Sequence, residues 1–374
     1  MFDISFFIQL LIPAFMAFML TLLAIPITIK LAYKYKLVDD PNLRPHPAHL
    51  HKKIIPRAGG LPIFLAIFIS SLLFLPLEKQ LLGILLGASL LLVVGLVDDR
   101  ILNFNPYLRL SLLFIAAFIA VSFGVGISFI TNPFFNLNIP FLPWKEAVIP
   151  FEQIKFFDEI GFSSAYIFAF LLIVSLTQVI NFSKGVDGQM PGLTLVTSLT
   201  LGLLSLKLFF AGDPNQLNLA KLSFILAGGS LGFLIFNWHP AKILPGFSAS
   251  TILAFMLANL AILSGAKVAT TLLVLAIPAI DFSYTILRRI LSGRSPVWGD
   301  RGHLHHKLLD MGWSHTQISL FYISVSAILG TVALFVDTQS KFFGGLVVML
   351  IFVIFILWIN SFGGLSKRSD PDNG

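Results

Sequence analysis

Long apolar runs separated by short polar breaks dominate the chain. Eleven of these runs approach the ~20 residues that a helix needs to cross a bilayer. They cover residues 6–34, 58–77, 81–97, 107–127, 163–180, 190–210, 218–236, 248–263, 268–287, 317–336 and 342–361. The pattern predicts an all-α fold, a polytopic bundle of about eleven transmembrane helices that forms a single domain over residues 1–374.

The breaks hold Gly, Pro, Asn and charged residues, as expected where the backbone leaves the hydrocarbon. The longest break, residues 128–162, alternates apolar and polar positions around Trp144. We predict an external hairpin or interfacial loop there, with Trp144 near the lipid headgroups. The polar tail, residues 365–374, is predicted to be disordered.

Composition supports a membrane protein. Charged residues make up 11% of the chain, against about 25% in soluble proteins, and 56% of the residues are hydrophobic. The absence of cysteine excludes disulfides and thiolate metal sites. No positive region precedes the first apolar run, which is therefore expected to be a retained helix rather than a cleaved signal.

The distribution of positive charge predicts how the chain is oriented. If the first helix runs inward, 17 of the 25 Lys and Arg residues lie in cytoplasmic segments and 7 lie toward the outside. This bias predicts an outside N-terminus, a cytoplasmic C-terminus and cytoplasmic polar loops. It also explains the net charge of +7 without a nucleic-acid partner, which we do not expect.

The most polar stretch, residues 294–307, reads Arg-Ser-Pro-Val-Trp-Gly-Asp-Arg-Gly-His-Leu-His-His-Lys. It contains three of the eight histidines, His303, His305 and His306. Such a loop can bind phosphate through cationic or hydrogen-bonding groups. It could equally hold a metal or serve as a solvated anchor, and the stretch alone leaves these alternatives open.

Two other breaks carry charge at helix ends. Lys53 and Arg57 belong to a basic loop that predicts either an anion site or a positive-inside anchor. Asp98 and Asp99 end an apolar run, where paired carboxylates are costly unless they bind a cation. The alternatives are Mg²⁺ shared with substrate phosphates and an ion pair with Arg100.

Residues 178–192 combine glycines, which admit a ligand close to the backbone, with Asn181 and Asp187, which offer oxygen ligands. A simple turn between helices would look similar. Asp281 lies inside a predicted span, so it is either a functional carboxylate or the partner of Arg288 or Arg289.

Taken together and in order, these motifs resemble the polyprenyl-phosphate N-acetylhexosamine-1-phosphate transferases of glycosyltransferase family 4. The motifs are Asp-Asp-Pro-Asn from Asp39, His-x-Lys ending at Lys53, Pro-Arg-x-Gly-Gly from Pro56, Asp98-Asp99, Asn181-Phe182, Asp187-Gly188 and Asp-Arg-x-His-x-His-His from Asp300. The resemblance covers about residues 35–310. Eleven spans with an outside N-terminus resemble the branch that transfers N-acetylglucosamine-1-phosphate.

The resemblance implies a reaction at the cytoplasmic face of the cell membrane. Undecaprenyl or another polyprenyl phosphate attacks the β-phosphorus of a UDP-sugar, UMP leaves, and cell-envelope glycan synthesis begins. It implies Mg²⁺ (or Mn²⁺) and allows a homodimer. By the same resemblance the catalytic residues are Asp98, Asp99 and Asp187, of which Asp99 and Asp187 lie at the metal. The implied substrate-binding residues are Lys53, Arg57, Asn181, Lys184, Arg301, His303, His305 and His306.

Three positions depart from the family pattern. Lys184 and Phe247 stand where the family has aspartates, and Arg109 stands where it prefers lysine. The first two changes raise the charge of the site by about 3, which weakens binding of a divalent cation. The interpretations are an active transferase with an altered metal site, a catalytically silent relative that binds UDP-sugar or polyprenyl phosphate, and a transporter or flippase-like carrier.

Overall fold

The computed structural model describes residues 4–41, 53–101, 103–127, 129–135, 148–150, 163–263, 267–295 and 302–362. Helices dominate this part of the chain. In order they are α1 Ile4–Lys34, α2 Gly60–Phe74, α3 Lys79–Arg100, α4 Pro106–Ser122, α5 Ser164–Asn181, α6 Gln189–Phe210, α7 Gln216–Asn237, α8 Gly246–Ile262, α9 Lys267–Val274, α10 Ala276–Leu291, α11 Leu304–Asp310, α12 His315–Phe335 and α13 Thr338–Phe362.

The prediction of an all-α, multi-pass membrane protein is confirmed. Within the described residues, seven helices are long and apolar enough to span a membrane, and α9 with α10 could form an eighth span bent by 81°. The helices α2, α4 and α8 are apolar but shorter. Every predicted run thus coincides with a helix or with the bent pair, while the number of spans and the sides of the termini stay predictions.

The break between α9 and α10 follows from Pro278, which lies in the first turn of α10. Proline lacks an N–H and clashes with the carbonyl four residues earlier, so a continuous helix through this point is unfavourable. The sequence pattern had predicted one uninterrupted span over residues 268–287. Beyond the bend, α10 contacts the start of α11, where Asp281 accepts a hydrogen bond from the N–H of Leu304.

Helix α8 lies at the centre of the bundle, and all of its residues are buried. It packs against α3 and α5, and glycines let its first turn approach its neighbours closely. A Cβ on Gly95 of α3 would lie 2.3 Å from Cα of Ser248, and one on Gly60 of α2 would lie 2.5 Å from Cβ of Ser248. The start of α8 is therefore fixed against the ends of two other helices.

Two short antiparallel strand pairs join the helices. β1 (Val38–Asp39) pairs with β2 (Ile55–Pro56), and β3 (Phe129–Thr131) pairs with β4 (Val148–Pro150). The second pair lies within the predicted 128–162 hairpin, in agreement with its alternating pattern. Trp144 and the tail 365–374 fall outside the described residues.

Candidate active site

Polar loops from separate parts of the chain meet at one end of the bundle. Arg57, before α2, lies with its Nε 3.5 Å from Oδ1 of Asp99, at the end of α3. Asp99 in turn accepts a hydrogen bond from the backbone N–H of Phe247, at the start of α8. The loop after α5 joins them, because Lys184 donates to the carbonyl oxygen of Gly246.

The histidine stretch reaches the same place. Gly185 lies so close to His305 that a Cβ would fall 1.8 Å from the imidazole Nε2, so a side chain at this position would displace the ring. The loop after α5 and the histidine stretch, which are more than a hundred residues apart in the sequence, therefore belong to one site.

Asp98 is 1% exposed and pairs with Arg109 through a close contact between Oδ1 and the guanidinium Nε. The guanidinium also stacks near Phe247, with its Cζ 5.4 Å from the ring centroid. The ion pair that the sequence suggested for Arg100 is thus formed by Arg109 instead. Asp98 remains a carboxylate with a cation beside it, as a phosphate-handling site requires.

Asp99 anchors the N-terminus of α8. Its Oδ1 accepts from Phe247 N–H at 2.8 Å, and its Oδ2 accepts from the Ser248 hydroxyl at 2.7 Å and from the Ser248 N–H at 3.3 Å. The residue preceding α8, Pro245, supplies no side-chain cap. The carboxylate therefore stabilises N–H groups that would otherwise be unsatisfied, and the positive end of the helix dipole favours its charge.

Lys184 lies between these elements. Its ammonium donates to Oδ1 of Asn181 at 2.8 Å, to the Ser250 hydroxyl at 3.2 Å and to the Gly246 carbonyl at 3.3 Å. It also lies 5.2 Å from the centroid of the Phe247 ring, at cation–π distance. Loss of water around the ammonium, followed by repulsion from Arg57, lowers the pKa of Lys184 to about 7.

This arrangement does not fit a divalent cation at the Lys184–Phe247 position. The ammonium holds the amide oxygen, hydroxyl and carbonyl that a hard cation would bind, and the Phe247 ring offers no ligand atom. The oxygens of Asp99 are already engaged by α8. Asp99 and Asp187 as a metal pair therefore stay a prediction without geometric support.

Asp187 contacts two histidines that sequence reasoning did not place in the site. Its Oδ2 lies 2.7 Å from Nδ1 of His239 and 3.8 Å from Nδ1 of His315, and it accepts from the N–H of Ala241 at 3.2 Å. The two rings stack with centroids 4.6 Å apart. His239 follows α7 and His315 begins α12, so only the fold brings them together.

Asp281 orients the histidine stretch. Its Oδ2 lies 3.0 Å from Nδ1 of His303, and its Oδ1 accepts from the N–H of Leu304, the first residue of α11. Both side chains are buried. The sequence left two roles open for Asp281, a functional carboxylate or a partner of Arg288 or Arg289. In the structure it holds the His303 ring and the first residue of α11.

His305 and His306 continue the cluster, with ring centroids 4.3 Å apart, and His303 stacks on His305 at 5.6 Å. Burial, reinforced by the neighbouring His306, His303 and His315, holds the pKa of His305 well below its usual value. His305 is therefore neutral at physiological pH and can serve as a hydrogen-bond donor or acceptor but not as a cation.

The remaining predicted residues are less informative. Lys53 is exposed and precedes β2 in the chain. Arg301 lies outside the described residues, as does Asp300. Their roles in substrate binding stay predictions.

The fold and this cluster define a multi-pass helical membrane protein whose polar site is built by loops at one end of the bundle. The sequence model described as glycosyl transferase family 4 matches residues 81–265. This match supports the family resemblance that the motifs of the chain carry.

Individual relatives are similar over most of their length. A Bacillus subtilis (strain 168) protein named "Probable undecaprenyl-phosphate N-acetylglucosaminyl 1-phosphate transferase" is 28% identical over 362 residues, 95% of this chain and 92% of the relative. A Mycolicibacterium smegmatis decaprenyl-phosphate N-acetylglucosaminephosphotransferase is 29% identical, covering 80% of this chain and 75% of the relative. A Moorella thermoacetica phospho-N-acetylmuramoyl-pentapeptide-transferase is 25% identical, covering 88% and 99%.

Proposed function

We propose that the protein transfers N-acetylhexosamine-1-phosphate, with N-acetylglucosamine as the preferred sugar, from a UDP-sugar to undecaprenyl or another polyprenyl phosphate. The observation that carries the proposal is the meeting of acids, cations and histidines from separate loops at one end of the bundle. The names of relatives matched over nearly the whole chain support the same reaction.

The reaction is an in-line displacement. An oxygen of the lipid phosphate forms a bond to the β-phosphorus of the UDP-sugar, the bond from that phosphorus to the bridging oxygen breaks, and UMP leaves with the electron pair. Because both substrates are anions, positioning and neutralisation supply most of the catalysis. The positive groups gathered here, Arg57, Arg109 and Lys184, meet that requirement.

We assign the lipid phosphate to the neighbourhood of Asp98 and Arg109. Arg109 is partly exposed, with 33% of its side chain accessible, so it can exchange its contact with Asp98 for a phosphate oxygen. Asp98 then accepts a proton or orients the guanidinium. The nucleotide-sugar diphosphate is assigned to Lys184 and to the histidine cluster, where His303 is held by Asp281.

The cation requirement is the feature in which this chain departs from its family. Mg²⁺ or Mn²⁺ bound by Asp99 and Asp187 would compete with the contacts of those carboxylates to α8 and to His239. The Lys184 ammonium already lies where the family pattern has a carboxylate. We propose that it provides the charge there, and that added Mg²⁺ is not required.

Orientation completes the proposal. The site-bearing loops alternate with the intervening loops along the chain, and they hold most of the Lys and Arg residues. This bias supports placing the site on the cytoplasmic face of the cell membrane, where UDP-sugars occur. A homodimer stays a prediction.

The test is transfer of label from UDP-[¹⁴C]N-acetylglucosamine to undecaprenyl phosphate by purified protein in detergent or nanodiscs. The expected result is a labelled lipid diphosphate sugar and an equal amount of UMP. Asp98→Asn is the matched variant and should lose most of the rate. Binding of UDP-sugar without transfer of any nucleotide sugar tried would contradict the proposal and favour a catalytically silent relative.

A further inference from the structure

Three potential metal ligands converge beside the candidate active site. Asp187, His239 and His315 each offer one potential ligand atom, a carboxylate oxygen or an imidazole nitrogen, and these three atoms lie within 4.8 Å of one another. Among the residues that the structure describes, no other group of three or more such ligands is this close. The family resemblance assigned a metal to Asp187 together with Asp99 and gave no role to either histidine.

We propose that Asp187, His239 and His315 form a binding site for one divalent transition-metal ion of the zinc class. Two imidazoles and one carboxylate are the ligand set of many sites for such ions, whereas Mg²⁺ prefers oxygen alone. The site is therefore distinct in its chemistry from the hard-cation site that the family pattern implies.

The distances suit an ion with short bonds. The carboxylate oxygen lies 2.7 Å from Nδ1 of His239 and 3.8 Å from Nδ1 of His315. These values bracket about 3.3 Å, the separation between ligands in a tetrahedral site with bonds of about 2.0–2.1 Å.

Two of the three ligand atoms already contact each other. Oδ2 of Asp187 and Nδ1 of His239 share a hydrogen bond at 2.7 Å, which a bound ion would replace by bridging the two atoms.

The surroundings hold the ligands in place and leave an entrance. Asp187 is fixed by the Ala241 N–H, which donates to its carboxylate, and by the Ser319 hydroxyl, which donates to its backbone carbonyl. Supporting contacts of this kind orient metal ligands in known sites. His239 keeps 41% of its side chain exposed, so an ion can enter from water. Three protein ligands leave a coordination position for water or for an anionic oxygen of a ligand.

The experiment measures metal, not turnover. Protein purified with a tag that contains no histidine is stripped with chelator, dialysed against Zn²⁺ or Co²⁺ at micromolar concentration, and analysed for bound metal and for the visible absorption of Co²⁺. We expect about one equivalent per chain. His239→Gln, at an exposed position that tolerates substitution, should weaken binding by at least about 100-fold, more than the loss of a supporting contact.

Matched controls locate the ion. Lys242→Gln lies in the same loop as His239 and should bind metal as the wild type does, and His305→Gln tests the neighbouring histidine cluster. Asp187→Asn and His315→Gln should repeat the loss seen with His239→Gln. Substoichiometric binding by the wild type, or loss with His305→Gln but not with His239→Gln, would overturn the proposal. Neither result depends on transferase activity, so the proposed function is tested separately.

Discussion

At the scale of single residues, Lys184 is the position where this chain differs most in charge from the family that its motifs resemble. An ammonium that holds Asn181 and Ser250 is an internal cation which needs no recruitment from solution. Because its hydrogen-bond partners come from the ends of α5 and α8, it also links two helices. In the proposed reaction it replaces part of the charge that a divalent ion supplies elsewhere.

The titration of Lys184 gives a prediction for activity. Because the pKa of Lys184 is lowered to about 7, its charge is lost as pH rises through that value. After burial, the neighbouring charges set this pKa: Arg57 and Arg109 lower it, and Asp98 and Asp99 raise it. We expect kcat/KM for the UDP-sugar to fall above about pH 7. Lys184→Arg stays charged over this pH range. In this variant the fall of kcat/KM above pH 7 should disappear, even if the rate itself is lower. If kcat/KM of Lys184→Arg falls above pH 7 as it does in the wild type, the titrating group is not Lys184.

Stability should respond to pH in the opposite sense. Between about pH 7 and 10.5 the unfolded chain keeps the Lys184 proton that the folded protein has lost. The unfolded state then binds more protons, so the contribution of this residue to stability rises with pH in that window.

Asp281 should act as a positioning residue through His303. Asp281→Asn keeps the shape but removes the charge that fixes the Nδ1 proton of His303. We expect kcat/KM for the UDP-sugar to fall about 10-fold or more, with a changed pH profile, because a carboxylate that contacts an imidazole orients the ring and tunes its basicity. Steady-state kinetics over pH provide the measurement, and the exposed Asp337→Asn is the control. A loss of thermal stability with unaltered kinetics of the folded fraction would reduce Asp281 to a structural role.

At the scale of elements, the beginning of α8 is the junction on which the site depends. Asp99 caps the N-terminus of α8, and Lys184 contacts its first turn. Glycines on α2 and α3 leave room for that turn to pack closely against both helices. Any displacement of this turn would move the Asp99 and Lys184 groups together. The close approach of helices through small residues is the usual way that membrane helices pack tightly.

Gly95→Ala tests that packing. Its new methyl would lie 2.3 Å from backbone Cα of Ser248, which cannot rotate away, so α3 and α8 must separate. We expect a loss of about 1–3 kcal/mol of stability or more, seen as a lower melting temperature in detergent. Gly344→Ala in α13, where nothing lies within 4 Å of the added carbon, is the control and should be neutral. Equal melting temperatures for both variants would show that the α3–α8 contact is not tight.

The positions of helices follow from sequence more readily than the site does. Apolar length predicts each helical region because the bilayer imposes it. The bend at Leu275 was missed. Pro278 disfavours a continuous helix there, but membrane spans often tolerate proline, so this residue alone does not predict a break. His239 and His315 lie on separate helix ends, and no local pattern indicates that Asp187 will meet them. Their partnership depends on the packing of both α7 and α12 against α6, which periodicity does not encode.

At the scale of the whole molecule, all site-bearing loops lie at one end of the bundle, and the charge bias predicts that this end is cytoplasmic. The natural absence of cysteine makes this prediction simple to test. Single cysteines at the exposed positions Lys36 and Ser292 should resist a membrane-impermeant maleimide in intact cells, whereas cysteines at Glu78 and Asn215 should react. Lysed cells provide the labelling control, and the reverse pattern would invert the orientation.

The dependence of transfer on Mg²⁺ tests the central claim most directly. Rates are compared with and without added Mg²⁺ for the wild type and for the double variant Lys184→Asp, Phe247→Asp, which restores both family carboxylates. The account predicts wild-type transfer that is unchanged within about twofold by Mg²⁺ and a double variant that is inactive without it, since a charge change of about 3 governs divalent binding. A wild type that requires Mg²⁺ as strictly as the double variant would contradict the claim that the Lys184 ammonium supplies this charge.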